Sequence, residues 1–488
     1  MNFYCHSPIS TKVDRKQDIL FLAQWAKDYS PFVELNQKYK NCPNYDPLKS
    51  RYLELAEKAK DDEEFFQIVN GYFRLIGASG HASILFESDL KYYINEFKKE
   101  NPTNITIKQY EDALYWARLI QNIAVFAHPP FQIINQTAEY FVNDNWQHNN
   151  KIIPKGSKIQ KVNGLTYSAY LEFVKQHTWI RYLAHNRDWI DNYLLIIDEG
   201  VDFKGWRVEF LLPDYSVFTT IVPKIIGFHS AKENSDNCSC FEIADDVGYI
   251  RIKSFSFWSI QKDGNLMRDF FDKSGGKYKK LIIDIRNNGG GATEYFYNNL
   301  IKPFLDEPAI YKQKVGIRKK FLSDMKPSYL NYLRKHVSTK AQGVTDILEI
   351  ESQEGFDSNE WIFYEITRKI NPLNRYNFNG KIYILTENCF SAADDYANIA
   401  KRIGLGTLVG RNTNGGGAAY FAPVFVRLPF SGIIFMLEAD LLLNPDGTFN
   451  ELFGTKPDVE LEPFDFMVSD KKSELKNDEW IKAIITQQ

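Results

Sequence analysis

Leu281-Ile282-Ile283-Asp284-Ile285-Arg286-Asn287-Asn288-Gly289-Gly290-Gly291 is the stretch that decides the fold. Leu281 to Ile285 is a short apolar run of the kind buried on both faces of a parallel sheet. The glycines stand where that strand would end. Without side chains they let backbone N–H groups point into the crevice where α/β sheets hold ligands. Taken alone, the same residues also fit a plain strand-to-helix turn. No Gly-Lys-Ser/Thr follows to make a phosphate loop.

Downstream, a helix is expected around Glu294 to Ile301, then a long insertion, about 306–378. Ile382 to Leu385 repeats the buried-strand pattern and feeds Thr386-Glu387-Asn388-Cys389-Phe390-Ser391-Ala392-Ala393-Asp394. A helix from Ser391 to Ile403 closes at Gly404, with Lys401 and Arg402 suited to its negative end. A serine at a strand-to-helix elbow is presented outward, with the next residue's N–H beside it. Ser391 and Asp394 also spell Ser-x-x-Asp, a helix-capping signature, so the motif by itself leaves both roles open. After the strand Leu408-Val409 comes a second glycine loop, Gly410-Arg411-Asn412-Thr413-Asn414-Gly415-Gly416-Gly417. Glu451-Leu452-Phe453-Gly454-Thr455-Lys456-Pro457-Asp458 ends the α/β region.

Upstream, Gly248 to Ile252 reads as a strand, followed by a helix carrying Leu266, Met267, Phe270 and Phe271. A polar linker, Ser230 to Ser239, precedes them. Residues 126 to about 225 are mostly strands: Tyr193 to Ile197, Trp206 to Leu212 and Val217 to Val222, with a helix near Tyr167 to Lys175. Residues 11 to 77 carry helical periodicity, as in Phe65, Val69, Tyr72, Phe73 and Ile76. Gly80-His81 then leads into a strand, Ala82 to Phe86. A further helix spans about Tyr110 to Ile123. The domains read as 1–124 helical, 125–232 β-rich and 240–488 α/β.

Composition narrows the classes. The 488 residues carry a net charge of −3, which points away from nucleic acid. Hydrophobic residues make up 44% and aromatics 15%, enough for real cores. No apolar run approaches the ~20 residues of a membrane helix. Ile19 to Ala26 follows basic residues, but Gln24 interrupts it and no small-x-small site follows. An amphipathic helix is expected there rather than an export signal in the chain as given. Cys5, Cys42, Cys238, Cys240 and Cys389 are an odd, scattered set with no disulfide framework. Cys238-x-Cys240 lacks a partner pair for a metal and reads as loop cysteines.

A serine nucleophile needs a base, and the chain has eight histidines. His6, His148 and His336 read as surface residues, and His128 and His229 adjoin a proline pair and the linker. His177 and His185 belong in or beside the β-rich module's helix. His81 stands out because Gly80 permits close approach and a strand follows at once.

The order of these motifs, with Lys155-Gly156-Ser157-Lys158-Ile159-Gln160-Lys161-Val162-Asn163-Gly164 in the β-rich region, resembles the S41 serine peptidases, the C-terminal-processing and tricorn-core proteases. The resemblance runs from about residue 15 to 465. It implies a ClpP/crotonase-like α/β core, a PDZ-like module over 125–232 and an N-terminal helical region. It implies Ser391 as nucleophile, with the amides of Ala392 and Gly290, and Gly289 adjacent, as oxyanion hole. The lysine of the Ser/Lys branch falls at Gly416, so the Ser/His branch is implied, with His81 as base and Glu451 as its glutamate. Lys401 is no substitute, since ten helical residues rise about 15 Å. In the tricorn tetrad a serine precedes the histidine, where this chain has Gly80, and Asp394 stands where glutamate is common.

The reading is a serine endopeptidase acting on unfolded or C-terminal polypeptide segments. Gly415, Gly416 and Gly417 are its candidate groove residues, and no cofactor, metal, nucleic acid or membrane span is expected. The alternatives are a peptide- or lipid-binding protein of the same fold, in which Ser391 only caps a helix, and a crotonase-type acyl-CoA enzyme. The PDZ-like module and the Phe390-Ser391-Ala392-Ala393 elbow argue against the last.

Overall fold

The structure is a computed structural model. It describes residues 12–33, 35, 45–76, 81–123, 127–131, 133–136, 139–142, 145–148, 151–170, 181–183, 188–190, 205–223, 225–226, 236–337, 343–350, 353–417, 421, 423–461 and 472–486. Several expectations fall outside these: Gly80, the strand Tyr193 to Ile197, the module helix beyond Tyr170, and His6, His177, His185 and His229. The chain divides into two compact units. One comprises Met1–Ala231, Lys320–Tyr332 and Pro423–Ala439; the other comprises Lys232–Lys319, Leu333–Ala422 and Asp440–Gln488.

The first unit begins with the helices Lys12–Tyr29, Tyr45–Lys58 and Asp62–Ile76. Arg15 joins the first to the third, through Asp62 at 3.3 Å and the Ala59 carbonyl at 2.7 Å. The strand expected over Ala82 to Phe86 contracts to Ser83–Ile84. It pairs antiparallel with Ile434–Leu437, which pairs with Val424–Arg427. Leu85, Leu90, Ile94, Tyr110 and Ile434 form one core there. Buried Asp18 accepts hydrogen bonds from the N–H groups of Phe430 and Ser431, and Trp116 Nε1 donates to the Ser431 carbonyl. A hairpin from late in the sequence is thereby fixed to the N-terminal helices.

The β-rich part of this unit is a sheet in the order Val217–Pro223, Gly205–Leu211, Lys158–Val162, Glu139–Val142, Ile133–Gln136. Trp206, Val208 and Phe210 alternate inward, as one buried face requires, and meet Ile159 and Val162.

The second unit is built on a six-stranded sheet. Its order is Cys238–Ala244, Val247–Ile252, Lys280–Asp284, Lys381–Thr386, Thr407–Gly410, Val459–Glu460. Only the first pair is antiparallel. Both faces are covered, which explains the unbroken apolar runs. Ile250, Leu281, Ile283 and Ile384 pack with helices Ile260–Ser274 and Ala392–Ile403 on one face. Tyr249, Ile282, Leu385 and Val409 pack with Trp480, Ile481 and Ile484 of the C-terminal helix Glu479–Thr486 on the other. The 306–378 segment is no simple excursion, because its strands enter a second, antiparallel sheet: Val344–Ile350, Trp361–Ile370, Ala309–Arg318, Asp440–Leu443. Cys238 and Cys240, expected in a loop, lie on the first strand instead, with their Sγ atoms 3.8 Å apart. Among the described residues no group of three or more His, Cys, Asp or Glu could hold a metal ion.

Candidate active site

The parallel strands of the second unit end in three loops, Arg286–Gly291, Glu387–Ser391 and Arg411–Gly417, and these loops bond to one another. Phe390 N–H donates to the Asn288 carbonyl at 3.0 Å, Ser391 N–H to the Gly415 carbonyl at 3.0 Å, and Asn414 N–H to the Cys389 carbonyl at 2.6 Å. Among them Ser391 is held at φ 56°, ψ −127°. A non-glycine residue there costs about 1–3 kcal/mol and persists only when its surroundings over-determine it. Ser391 makes no side-chain capping bond to the helix Ala392–Ile403 that it precedes. Asp394, the other half of the capping signature, is buried and turned elsewhere. It accepts from Thr455 Oγ1 at 2.7 Å, from Thr455 N–H at 3.2 Å and from Thr413 Oγ1. Burial pushes its carboxyl up, against the pull of those bonds.

Gly290 sits against this elbow at φ 96°. A Cβ there would lie 2.6 Å from the Phe390 carbonyl oxygen and 2.8 Å from both Ala392 N and Ser391 Cβ. The Ala392 N–H is among the helix N–H groups that have no acceptor within the helix. The Gly290 N–H already donates to Asn288 Oδ1 at 2.8 Å, a contact the sequence did not announce. Gly289, beside it, is exposed.

The second glycine loop is closed down by its neighbours. A Cβ on Gly416 would meet the Phe390 ring at 2.3 Å, and one on Gly417 would meet Asp394 Oδ2 at 2.4 Å. Gly416 is where the Ser/Lys branch would carry its lysine, and Phe390 fills that space. Lys401 is committed to Asp458 at 2.7 Å and the Lys456 carbonyl at 2.8 Å. Glu451 lies half-buried on the short helix Asn450–Phe453, whose backbone packs on Gly415. Ser391, Ala392, Gly289, Gly290, Gly415, Gly416, Gly417 and Glu451 all belong to the second unit.

His81 belongs to the first. Its Nδ1 is 2.8 Å from Oε1 of Glu438, a residue the sequence reading did not single out. The register explains the meeting. Ser83 pairs with Met436 and Ile84 with Phe435, so two steps further His81 faces Glu438 across the ladder. The Glu438 side chain is 8% exposed and the His81 ring 30%. A carboxylate at Nδ1 favours the proton on that nitrogen, leaving Nε2 as the basic one.

Residues 246–461 match the model of peptidase family S41. The matched residues are less than half of the chain. A Chlamydia pneumoniae protein, CPj1016/CpB1054, is 26% identical over 251 residues. The match spans 44% of this chain and 40% of that relative's length. Mature CPAF in complex with lactacystin superposes with a TM-score of 0.57 at 14% identity, over 97% of both chains. Mature CPAF alone gives 0.57 over 97% of this chain and 96% of its own. At that identity the likeness is one of fold. The S41 match includes both Ser391 and the hairpin bearing Glu438, but not His81. Among the described residues no helix is long and apolar enough to cross a membrane.

Proposed function

We propose that this S41 chain is a serine endopeptidase of the Ser/His type, with a ClpP/crotonase-like core and a PDZ-like module over the sheet that contains Trp206. The observation that carries the reading is the Ser391 elbow: a strained serine, uncapped by its own side chain, at the N-terminus of a buried helix. His81, oriented by Glu438, takes the Ser391 Oγ proton as Oγ attacks the scissile carbonyl. The Ala392 N–H stabilises the oxyanion. The Gly290 N–H joins it, because a charged acceptor outcompetes the neutral Asn288 amide. The C–N bond breaks, and the leaving amine takes the proton from His81. Water then hydrolyses the acyl-enzyme by the same route.

The substrate is an extended polypeptide, and strand addition at the PDZ-like module suits it. Phe257 and Trp258 are 60% and 89% exposed, on a segment tied to the glycine loop by Phe255 N–H to the Gly290 carbonyl at 2.8 Å. They offer substrate side chains an apolar wall.

The test is fluorophosphonate labelling together with cleavage of denatured casein. Both are expected in the intact chain and lost in Ser391→Ala, with cleavage also lost in His81→Ala. Lactacystin, which CPAF holds, is expected to protect Ser391 from the label. Labelling that survives Ser391→Ala defeats the reading, and so does an intact chain that takes no label, which leaves a binding protein of the same fold.

A further inference from the structure

The C-terminal helix lies beyond the residues matched to the family, yet it reaches the base of the glycine loop. Arg286, four residues before Gly290, is 1% exposed. Its Nη2 lies 2.6 Å from Asp284 Oδ2 and 2.8 Å from Asp478 Oδ2, and its guanidinium lies 5.3 Å from the Trp480 ring centroid. Asp284 also faces Arg251 at 3.6 Å and accepts from Tyr249 Oη at 2.8 Å. Asp478 thus gives the buried Arg286 a second carboxylate partner beside Asp284, which Arg251 also faces. Removing one partner of a buried ion pair is costly, so loss of the Asp478 charge bears directly on how Arg286 is held.

From Arg286 the chain turns at once into the loop. Asn287, at φ 60°, donates to the Glu387 carbonyl at 2.8 Å; Asn288 N–H donates to the Ile285 carbonyl at 3.0 Å; Gly290 then meets Ser391. Only Asn287, Asn288 and Gly289 separate the ion pair from Gly290, and the first two are held by these backbone bonds. Asp478 also caps its own helix, its Oδ1 accepting from Trp480 N–H at 3.0 Å and from Ile481 N–H at 3.2 Å. Lys280 Nζ holds the other end, at the carbonyls of Ile484 and Ile485.

We propose that Asp478 is a positioning residue for the proposed reaction: through Arg286 it fixes the glycine loop that supplies an oxyanion donor, so the C-terminal helix sets the catalytic rate. This rests on the peptidase reading. The test compares the full chain with Asp478→Asn, Asp478→Ser and Asp478→Glu. Asn and Ser retain a capping oxygen and remove the charge facing Arg286; Glu retains the charge. Fluorophosphonate titration counts competent sites, kcat and KM are measured on a fluorogenic peptide, and hydrogen exchange is followed over 284–291.

Misplacement of about 1 Å can cost about 10²-fold, so kcat per titrated site is expected to fall at least about tenfold in Asn and Ser. KM should stay within about twofold, exchange over 284–291 should quicken, and Glu should recover most of the rate. A fall in thermal stability with unchanged kcat per site and unchanged exchange overturns the proposal while leaving the peptidase reading intact. A wild-type chain that takes no label overturns both.

Discussion

Glu438→Gln separates the carboxylate seen beside His81 from the one to which the resemblance pointed. The wild-type contact is a single 2.8 Å bond between a ring 30% exposed and a carboxylate 8% exposed. In the proposed mechanism His81 gains a proton in the transition state, and that bond becomes an ion pair. Two unit charges about 4 Å apart interact by about 4 kcal/mol at an effective dielectric near 20, and the partly wet ring lowers this toward about 2 kcal/mol. At 1.36 kcal/mol per decade, kcat/KM should fall roughly 30- to 1,000-fold. Glutamine keeps the shape, and its amide can offer an N–H to Nδ1. That would select the opposite tautomer, so the loss should fall mainly on kcat. The assay is steady-state cleavage of one fluorogenic peptide by wild type, Glu438→Gln and Glu451→Gln, normalised by active-site titration. Glu451→Gln is expected to stay within about threefold on the same scale. If Glu451→Gln shows the large loss and Glu438→Gln stays near wild type, the cross-strand assignment is refuted.

Gly416→Lys should not build a Ser/Lys dyad. The new Cβ meets the Phe390 ring at 2.3 Å and the φ of +74° strains any side chain, so peptidase activity should fall at least about tenfold without His81 becoming dispensable. Glu387→Gln tests an acid whose pKa burial raises from 4.5 to about 7, against the pull of Arg286 and Arg411. The folded state holds that proton more tightly than the unfolded chain. Wild-type stability from this group is therefore full below about pH 4.5 and declines as pH rises to about 7. Denaturant unfolding should show the variant gaining about 1–3 kcal/mol over wild type above pH 7 and converging with it near pH 4. Parallel curves would contradict this. Trp258→Ala should change unfolding stability by no more than about 0.5 kcal/mol, since the ring is exposed. It should lower kcat/KM several-fold for peptides with bulky apolar side chains and leave small-residue peptides unaffected.

The α/β core was legible because its signals are local. Val247–Ile252 and Lys280–Asp284 read as buried strands since both sheet faces are covered, and Gly404 closes its helix at φ 64° as a terminal glycine should. Ser391 was legible as a position but not as a conformation: taken alone, Ser-x-x-Asp reads first as a helix cap and second as an elbow. Only the φ of 56°, with Asp394 drawn away to Thr413 and Thr455, separates the two. Glu438 was not legible at all. It follows an ordinary strand, and its meeting with His81 depends on a pairing register between segments more than 350 positions apart. Asp478 was hidden for the same reason, since it meets Arg286 from a helix far along the chain, a contact that no linear motif records.

The same long-range dependence bears on how a serine here could be activated. A lysine base could arrive by local sequence, on the loop that already hydrogen-bonds Ser391. Phe390 closes that route by filling the space over Gly416, and Lys401 is occupied at Asp458. Two of the acids around the elbow are buried in structural work: Asp394 under Thr413 and Thr455, Asp284 under two arginines. Such groups cannot cycle a proton without breaking the contacts that hold the elbow in its strained form. The proposed base for Ser391 instead comes from a separately anchored element, whose own orientation does not depend on those loops. The His81–Glu438 pair has that independence, because the ladder and the Asp18 clamp hold it from the N-terminal side. Asp18→Asn should therefore lower both kcat and the rate of fluorophosphonate labelling, since each needs the base, while hydrogen exchange over 284–291 stays as in wild type. Quickened exchange over 284–291 would show that base and nucleophile are not held independently.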